Sequence, residues 1–419
     1  MAAVSRADRA SVESGLTSSL RSIQAGSWLS TRNRFFRDVT AKVDLLPNGV
    51  VRGEALHRYV AGSAPLHVLE ATRYLGRAVQ ALLLQDFGIA EHLAYYAELR
   101  ATMALLATEG IGVFNTSHVI LTSPREAQKV PGKIGTHKFV WEAFDIWSKS
   151  DAAANLLSGT IAAWNISLGT FCNACYSTAS LKPFLQDILQ QWGIDLKTYV
   201  EDREARNEAS YRPRFSYAGS GTETVLPMDF VNELWSTFEP IDIQPFEFVD
   251  RPLFALCYKA LKTQIPTRNS LITRLMSSGI SQAGIIAEYV QAPERSLPLF
   301  VKLARSKPNK NSMQHTMGMV ARAGLLSRIA IGSCNNLLAA TGIATTDVAW
   351  WFQSTALLAG IVTAPFSDAL DLWADVRDAL DTYAMVKPIT SQNVLLIENS
   401  SLVATLQQCE RLSIWGLAR

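Results

Sequence analysis

Apolar residues recur at helical spacing along most of the chain, and short polar or β-branched stretches interrupt them. From Ala64 onward Leu69, Tyr74, Val79, Leu82 and Leu83 are strong apolar positions, with Ser63 as a cap and Pro65 in a first helical turn. A second helix is expected from Ile89 to Thr108. Leu93, Tyr96, Ala97, Ala101, Ala104 and Leu105 fall on one face, while Leu99, Met103 and Leu106 fill another. A helix apolar on two faces belongs at the centre of a fold. Gly110, just past its end, stops it.

Residues 110–122 (GIGVFNTSHVILT) read as a loop or a short extended segment, followed by a polar connector, SPREAQKVPGKIGTH. Helical pattern resumes over His137–Trp147, Ala152–Ser167, Leu181–Trp192 and Leu196–Tyr211. Pro213 disfavours helix at Arg212 and ends the last of these. The Gly-, Ser- and Thr-rich stretch 216–227 is the best internal boundary. After it come Phe230–Phe238, a proline-punctuated stretch, and further helices to about Tyr383. The tail holds a candidate strand, Asn393–Ile397, and a closing helix. Strand pattern is scarce, so the class is all-α. Three parts are expected: an N-terminal helical arm (1–63), a helical domain (64–215) and a C-terminal helical domain (228–419).

Composition agrees with a folded chain. Of 419 residues, 48% are hydrophobic and 18% charged, which excludes intrinsic disorder and is long for one core. A net charge of +2 is too balanced to argue for nucleic-acid binding by the total, so any such surface must be local. Arg32, Arg34, Arg37 and Lys42 make the arm mildly basic. Lys302, Arg305, Lys307, Lys310 and Arg322 form a second group; both read as solvated faces. Trp28, Phe35 and Phe36 suit an arm that packs onto the main body. The five cysteines are sparse and odd in number, which fits a reducing, cytoplasmic setting better than a disulfide framework. The first residues lack the apolar run of a signal peptide, and no apolar window suits a membrane span.

Glu201–Phe215 (EDREARNEASYRPRF) is the most charged short segment of this apolar chain. It contains Arg206-Asn207 and, four residues on, Tyr211. The helix HLAYYAELRATMALLATEG pairs aromatics with small residues and Leu-Leu; it resembles the first long helix of HEPN domains. RNEASYRP resembles the second signature of that family, and THKFVWEAFDIW is similar to a YaaC-like branch of it. The resemblance covers roughly residues 65–215 and rests on short, degenerate motifs.

What the resemblance implies is an all-α domain that pairs through its motif-bearing helices and cleaves RNA without metal. Arg206 would hold the scissile phosphate, Asn207 would take the polar position, and Tyr211 stands where catalytic members carry histidine. A phenol with a reference pKa of about 10 is a poor base at neutral pH. His118 and His137, in polar contexts flanking the connector, are the alternative bases. The plain alternative is structural: Asp202 and Arg206 form an i, i+4 ion pair worth roughly 0.2–0.5 kcal/mol, and Tyr211 covers the helix end.

Cys172-x-x-Cys175 has no second pair at zinc-ligand spacing and reads as core thiols. Phosphate-loop, dinucleotide, zinc-protease and nucleophile-elbow motifs are absent, so no cofactor or metal is expected. The resulting expectation is a component of a bacterial antiviral defence or toxin–antitoxin system. It would bind RNA or nucleotide, cleave RNA if a base is supplied, and act as a homodimer or in a larger complex. The alternative is a non-catalytic scaffold whose ten tryptophans serve helix–helix interfaces.

Overall fold

The computed structural model describes residues 3–47, 49–176, 188–190, 194, 196–211, 227–239, 246–261, 267–292, 297–307, 312–358, 360, 362–365, 369–385 and 411. Helices dominate. In the first half they are α1 (Arg9–Thr17), α2 (Leu20–Gln24), α3 (Val39–Asp44), α4 (Glu54–Leu83), α5 (Phe87–Thr108), α6 (Thr136–Ser148), α7 (Asp151–Thr160), α8 (Leu168–Tyr176) and α9 (Leu196–Tyr211). In the second half they are α10 (Pro227–Thr237), α11 (Glu247–Leu261), α12 (Arg268–Ser277), α13 (Ala283–Gln291), α14 (Leu299–Arg305), α15 (Met313–Ala340), α16 (Thr345–Leu358) and α17 (Ala369–Met385). No helix among the described residues is long and apolar enough to cross a membrane.

α5 is central, as its two apolar faces require: α4, α6, α9 and α15 all pack on it. It starts at Asp86, whose carboxylate accepts from Ile89 N–H, and Gly110 closes it at φ +91°. The start expected for the preceding helix is corrected. α4 begins ten residues earlier, at Glu54, so Pro65 lies inside it and Ser63 bonds back to the Val60 carbonyl instead of capping. α15 belongs to the C-terminal region yet packs against α4 and α5, and one continuous apolar core joins both sides of the 216–227 boundary. Residues 216–226 of that boundary, the candidate Asn393–Ile397 strand and all of the tail after Met385 except residue 411 lie outside the described residues.

A second correction concerns residues 110–129. Over 110–122 the extended alternative holds and the loop does not, and the polar connector contains a strand as well: the segment forms β2 (Ile111–Phe114), β3 (Ser117–Ser123) and β4 (Glu126–Lys129). With β1 (Val50–Arg52) they form an antiparallel sheet in the order β1-β4-β3-β2. Phe114 pairs with Ser117 across a two-residue turn in which Asn115 takes φ +51°, a conformation asparagine tolerates. The expected helix to Ser167 likewise ends at Thr160. A small hairpin, β5 (Ala162–Ala163) and β6 (Ile166–Ser167), follows, turning at Trp164 and Asn165 with positive φ.

His118 sits in this sheet, buried and not solvent-reachable as its sequence context implied. Its ring lies flat on Phe139, with centroids 3.8 Å apart. Nε2 donates to the Ile134 carbonyl (2.7 Å), and Nδ1 accepts from Phe114 N–H (3.3 Å). Both nitrogens of the neutral ring are therefore satisfied, and burial depresses the pKa to about 4. The unfolded chain takes up a proton near pH 6.5 that the folded chain refuses until about pH 4. Stability is therefore complete above 6.5 and falls as pH drops, by roughly 3 kcal/mol in full. Denaturant titrations at about pH 7.5 and 5 should reveal this loss in the native sequence and a smaller one in His118→Phe, which cannot titrate.

Candidate functional site

α5 carries a polar and aromatic stripe through the apolar core: His92, Tyr95, Tyr96 and Arg100 fall at i, i+3, i+4 and i+8 and share a face. α4 supplies His67 and Glu70, the first turn of α6 supplies His137, and α9 supplies Arg203 and Arg206. Tyr199 stacks on Trp141 of α6 with ring centroids 4.6 Å apart, and this holds α9 in place.

A cleft of about 470 Å³ opens here, within the usual size of a ligand pocket. His67, Glu70, Tyr96, Arg100 and His137 line it, with Thr136 and Asn115 at the sheet end. Arg100 Nη1 is ion-paired with Glu70 Oε2 (3.0 Å) and donates to His67 Nδ1 (3.2 Å), so His67 is a neutral acceptor there. Burial, with Arg100 adding to it, holds the His67 pKa below its usual value. Burial works the other way on Glu70, yet the neighbouring His67 and the Arg100 charge hold its carboxyl below the usual range.

Arg206 lies over the neighbouring aromatics. Its guanidinium carbon is 5.1 Å from the Tyr95 ring centroid and 5.7 Å from that of Tyr96. The same tyrosines meet His137: Tyr95 hydroxyl and His137 Nδ1 are 2.8 Å apart, and the two rings stack at 5.6 Å. The His92 ring lies 5.0 Å from that of Tyr96 at a tilt of 42°, and it bonds Ser210 Oγ at 2.8 Å, which ties α5 to the end of α9. Burial first, then the charge of Arg206, depresses the pKa of both His92 and His137; Arg203 adds to the effect on His137. The site is thus electropositive, with neutral imidazoles beside arginine. Arg206 makes no hydrogen bond or ion pair among the described residues, and its Nε is buried without a partner. Tyr95 stays a phenol, because burial pushes its pKa up to about 12.

The structure therefore brings Arg206 and His137 together and keeps His118 in the sheet core. Asn207 is exposed, and the Tyr211 side chain lies outside the described residues. The expected Asp202–Arg206 pair is corrected: Asp202 is fully buried and grips Arg322 with two hydrogen bonds, 2.7 and 2.8 Å, leaving Arg206 to the tyrosines. Arg322 is in turn no solvated patch residue, since only 1% of it is exposed. Sequence reasoning passed over His67, His92, Glu70 and Arg100. The signal was present in the His92–Tyr96–Arg100 stripe, a row of polar groups at helical spacing inside an otherwise buried helix.

The CxxC thiols are buried as expected, and Cys257 joins them with its sulfur 3.4 Å from that of Cys172. Among the described residues no group of three or more His, Cys, Asp or Glu is arranged to hold a metal ion. No family model, curated protein or solved structure matches the chain.

Proposed function

We propose that the cleft binds the phosphodiester backbone of RNA, or a nucleotide, and that the protein cleaves RNA there with Arg206 and His137. The observation that carries this reading is the juxtaposition of Arg206 and His137 on the Tyr95–Tyr96 pair, of which Tyr96 and His137 line the cleft and Arg206 lies over the two rings beside it. A guanidinium without an acidic partner among the described residues is a ready site for a phosphate oxygen, and Arg203 strengthens the field. When His137 donates from Nδ1 to the Tyr95 oxygen, its Nε2 keeps a lone pair that can take a proton from an attacking hydroxyl. Arg206 then stabilises the charge that develops on the phosphate. In this arrangement His137 supplies the base that Tyr211 cannot.

The HEPN-like character, the pairing of two chains and a role in bacterial antiviral defence or a toxin–antitoxin system extend this reading on the strength of the sequence resemblance. A scaffold role has its own support in the apolar end of α16, where Leu358 is 89% exposed.

Arg206→Ala is the direct test. It removes a charge-assisted phosphate contact worth about 1.5–3 kcal/mol, so RNA binding should weaken roughly 10- to 150-fold. The fold should persist, since Arg206 anchors no ion pair among the described residues. Unchanged RNA affinity in a folded Arg206→Ala variant would refute the reading and leave the scaffold alternative.

A further inference from the structure

One further hollow adjoins the cleft, and a second adjoins that one. The first, about 360 Å³, shares Tyr59, Ser63 and Leu66 with it and is otherwise lined by Trp28, Phe36, Trp350 and Trp351. The second, about 340 Å³, meets the first at Leu29 and carries Arg32, Asn33 and Arg34. The groove thus runs from exposed arginines, across aromatic rings, to the Arg–His cleft.

The aromatic stretch is held by packing. Trp28 sits 6.1 Å from both Trp350 and Trp351, centroid to centroid, with the Trp351 ring nearly perpendicular. Its backbone lies so close on α4 that a Cβ at Gly62 would meet the Trp28 carbonyl oxygen at 2.8 Å. Trp350 and Trp351 remain half-buried and Phe36 is 44% exposed, so ring surface faces the groove. Arg32 and Arg34 are exposed and form no ion pair among the described residues.

We infer that this groove is a track for single-stranded RNA, a proposal that rests on the phosphate-binding reading of the cleft. Cationic ends and an aromatic middle are the two components that such binding needs: cations follow the backbone, and rings stack on unpaired bases of any identity. A duplex keeps its bases stacked inside and cannot use the aromatic stretch. An apolar protein ligand would have no use for the arginines at either end.

The test compares three labelled probes on the full chain: a dinucleotide that fills only the cleft, a single strand of about 12 nucleotides, and the same strand in a duplex. The single strand should bind tighter than either of the others. Phe36→Ala should lower its affinity relative to the dinucleotide by roughly 5- to 150-fold, the worth of one stacked base. Arg32→Ala with Arg34→Ala should reduce the salt slope of single-strand binding by about 1.4, from two lost phosphate contacts. Trp350→Phe, which keeps a ring in place, should retain single-strand affinity. The track is overturned if the single strand binds no tighter than the dinucleotide, if the duplex binds equally well, or if both the Phe36 and arginine variants leave the ratio unchanged. Failure of both the dinucleotide and the single strand to bind would remove the cleft reading, and the track with it.

Discussion

Arg322→Met should cost about 3–5 kcal/mol of unfolding free energy, because it breaks a buried, bidentate ion pair. Arg322 projects from α15 into the space between α5, α9 and α14. There Nε and Nη2 bond the two oxygens of Asp202, Nη1 reaches the Ala304 carbonyl at 3.4 Å, and Glu98 stands 3.9 Å away. All three charged side chains are at most 1% exposed. Burial pushes Glu98 well above its ordinary value and the Asp202 charge adds to it, which favours its protonated form. One cation therefore balances one anion, and methionine would leave Asp202 charged and alone. Arg322→Met with Asp202→Leu should recover most of the loss, because it removes both members of a pair whose desolvation is expensive.

Glu98→Gln separates this account from simple packing. The folded chain keeps a proton on Glu98 that the unfolded chain releases above about pH 4.5, so the native residue loses stability as pH rises from there toward its raised pKa. The glutamine variant should match the native protein near pH 4.5 and become relatively more stable toward neutrality. Urea unfolding of the variants over that range measures both effects.

Which residues build this pair explains much of what the sequence conceals. Arg322 follows Lys302, Arg305, Lys307 and Lys310 and so reads as one more surface cation; only the docking of α15 on α5 turns it inward. Asp202 and Arg206 have ideal i, i+4 spacing, but a local pair worth a few tenths of a kcal/mol yields to a bidentate pair in the interior. The central role of α5 and the extent of α9 were legible, because sustained 3.6-residue periodicity survives any tertiary context. The sheet was not. β2 is buried at all four positions, so it shows no polar alternation, and the one local clue was Asn115 between β-branched runs. Pro65 misled for a different reason: proline marks helix starts on average, whereas α4 accommodates it within a helix already begun at Glu54.

The candidate site divides in the same way. Arg206 stands out in any reading of the chain, because Glu201–Phe215 is polar where its surroundings are apolar. Its companions come from α4, α5 and α6, at separations that local pattern does not encode. His118 and His137 are equivalent by context, and what distinguishes them is tertiary. The first meets Ile134 and Phe139 in the sheet core, and the second meets Tyr95 at the cleft.

That distinction sets the largest effect on activity. His137→Gln should lower the rate of RNA cleavage by about 10²–10⁴-fold, the usual contribution of a positioned base. His118→Phe should alter the rate only through stability. Because burial and the charges of Arg206 and Arg203 oppose protonation of His137, the acid limb of kcat/KM should inflect below the ordinary imidazole value of about 6.5. Arg206→Ala removes one of those charges, so whatever rate remains should show its inflection at higher pH. An arginine whose charge does not reach His137 would lower the rate without moving the inflection. Profiles of single-stranded RNA cleavage from about pH 5 to 8 in the native protein and both variants decide the matter. An unchanged rate in His137→Gln would take that histidine out of the reaction, while an unmoved inflection in Arg206→Ala would uncouple the two residues that the Tyr95–Tyr96 pair holds side by side.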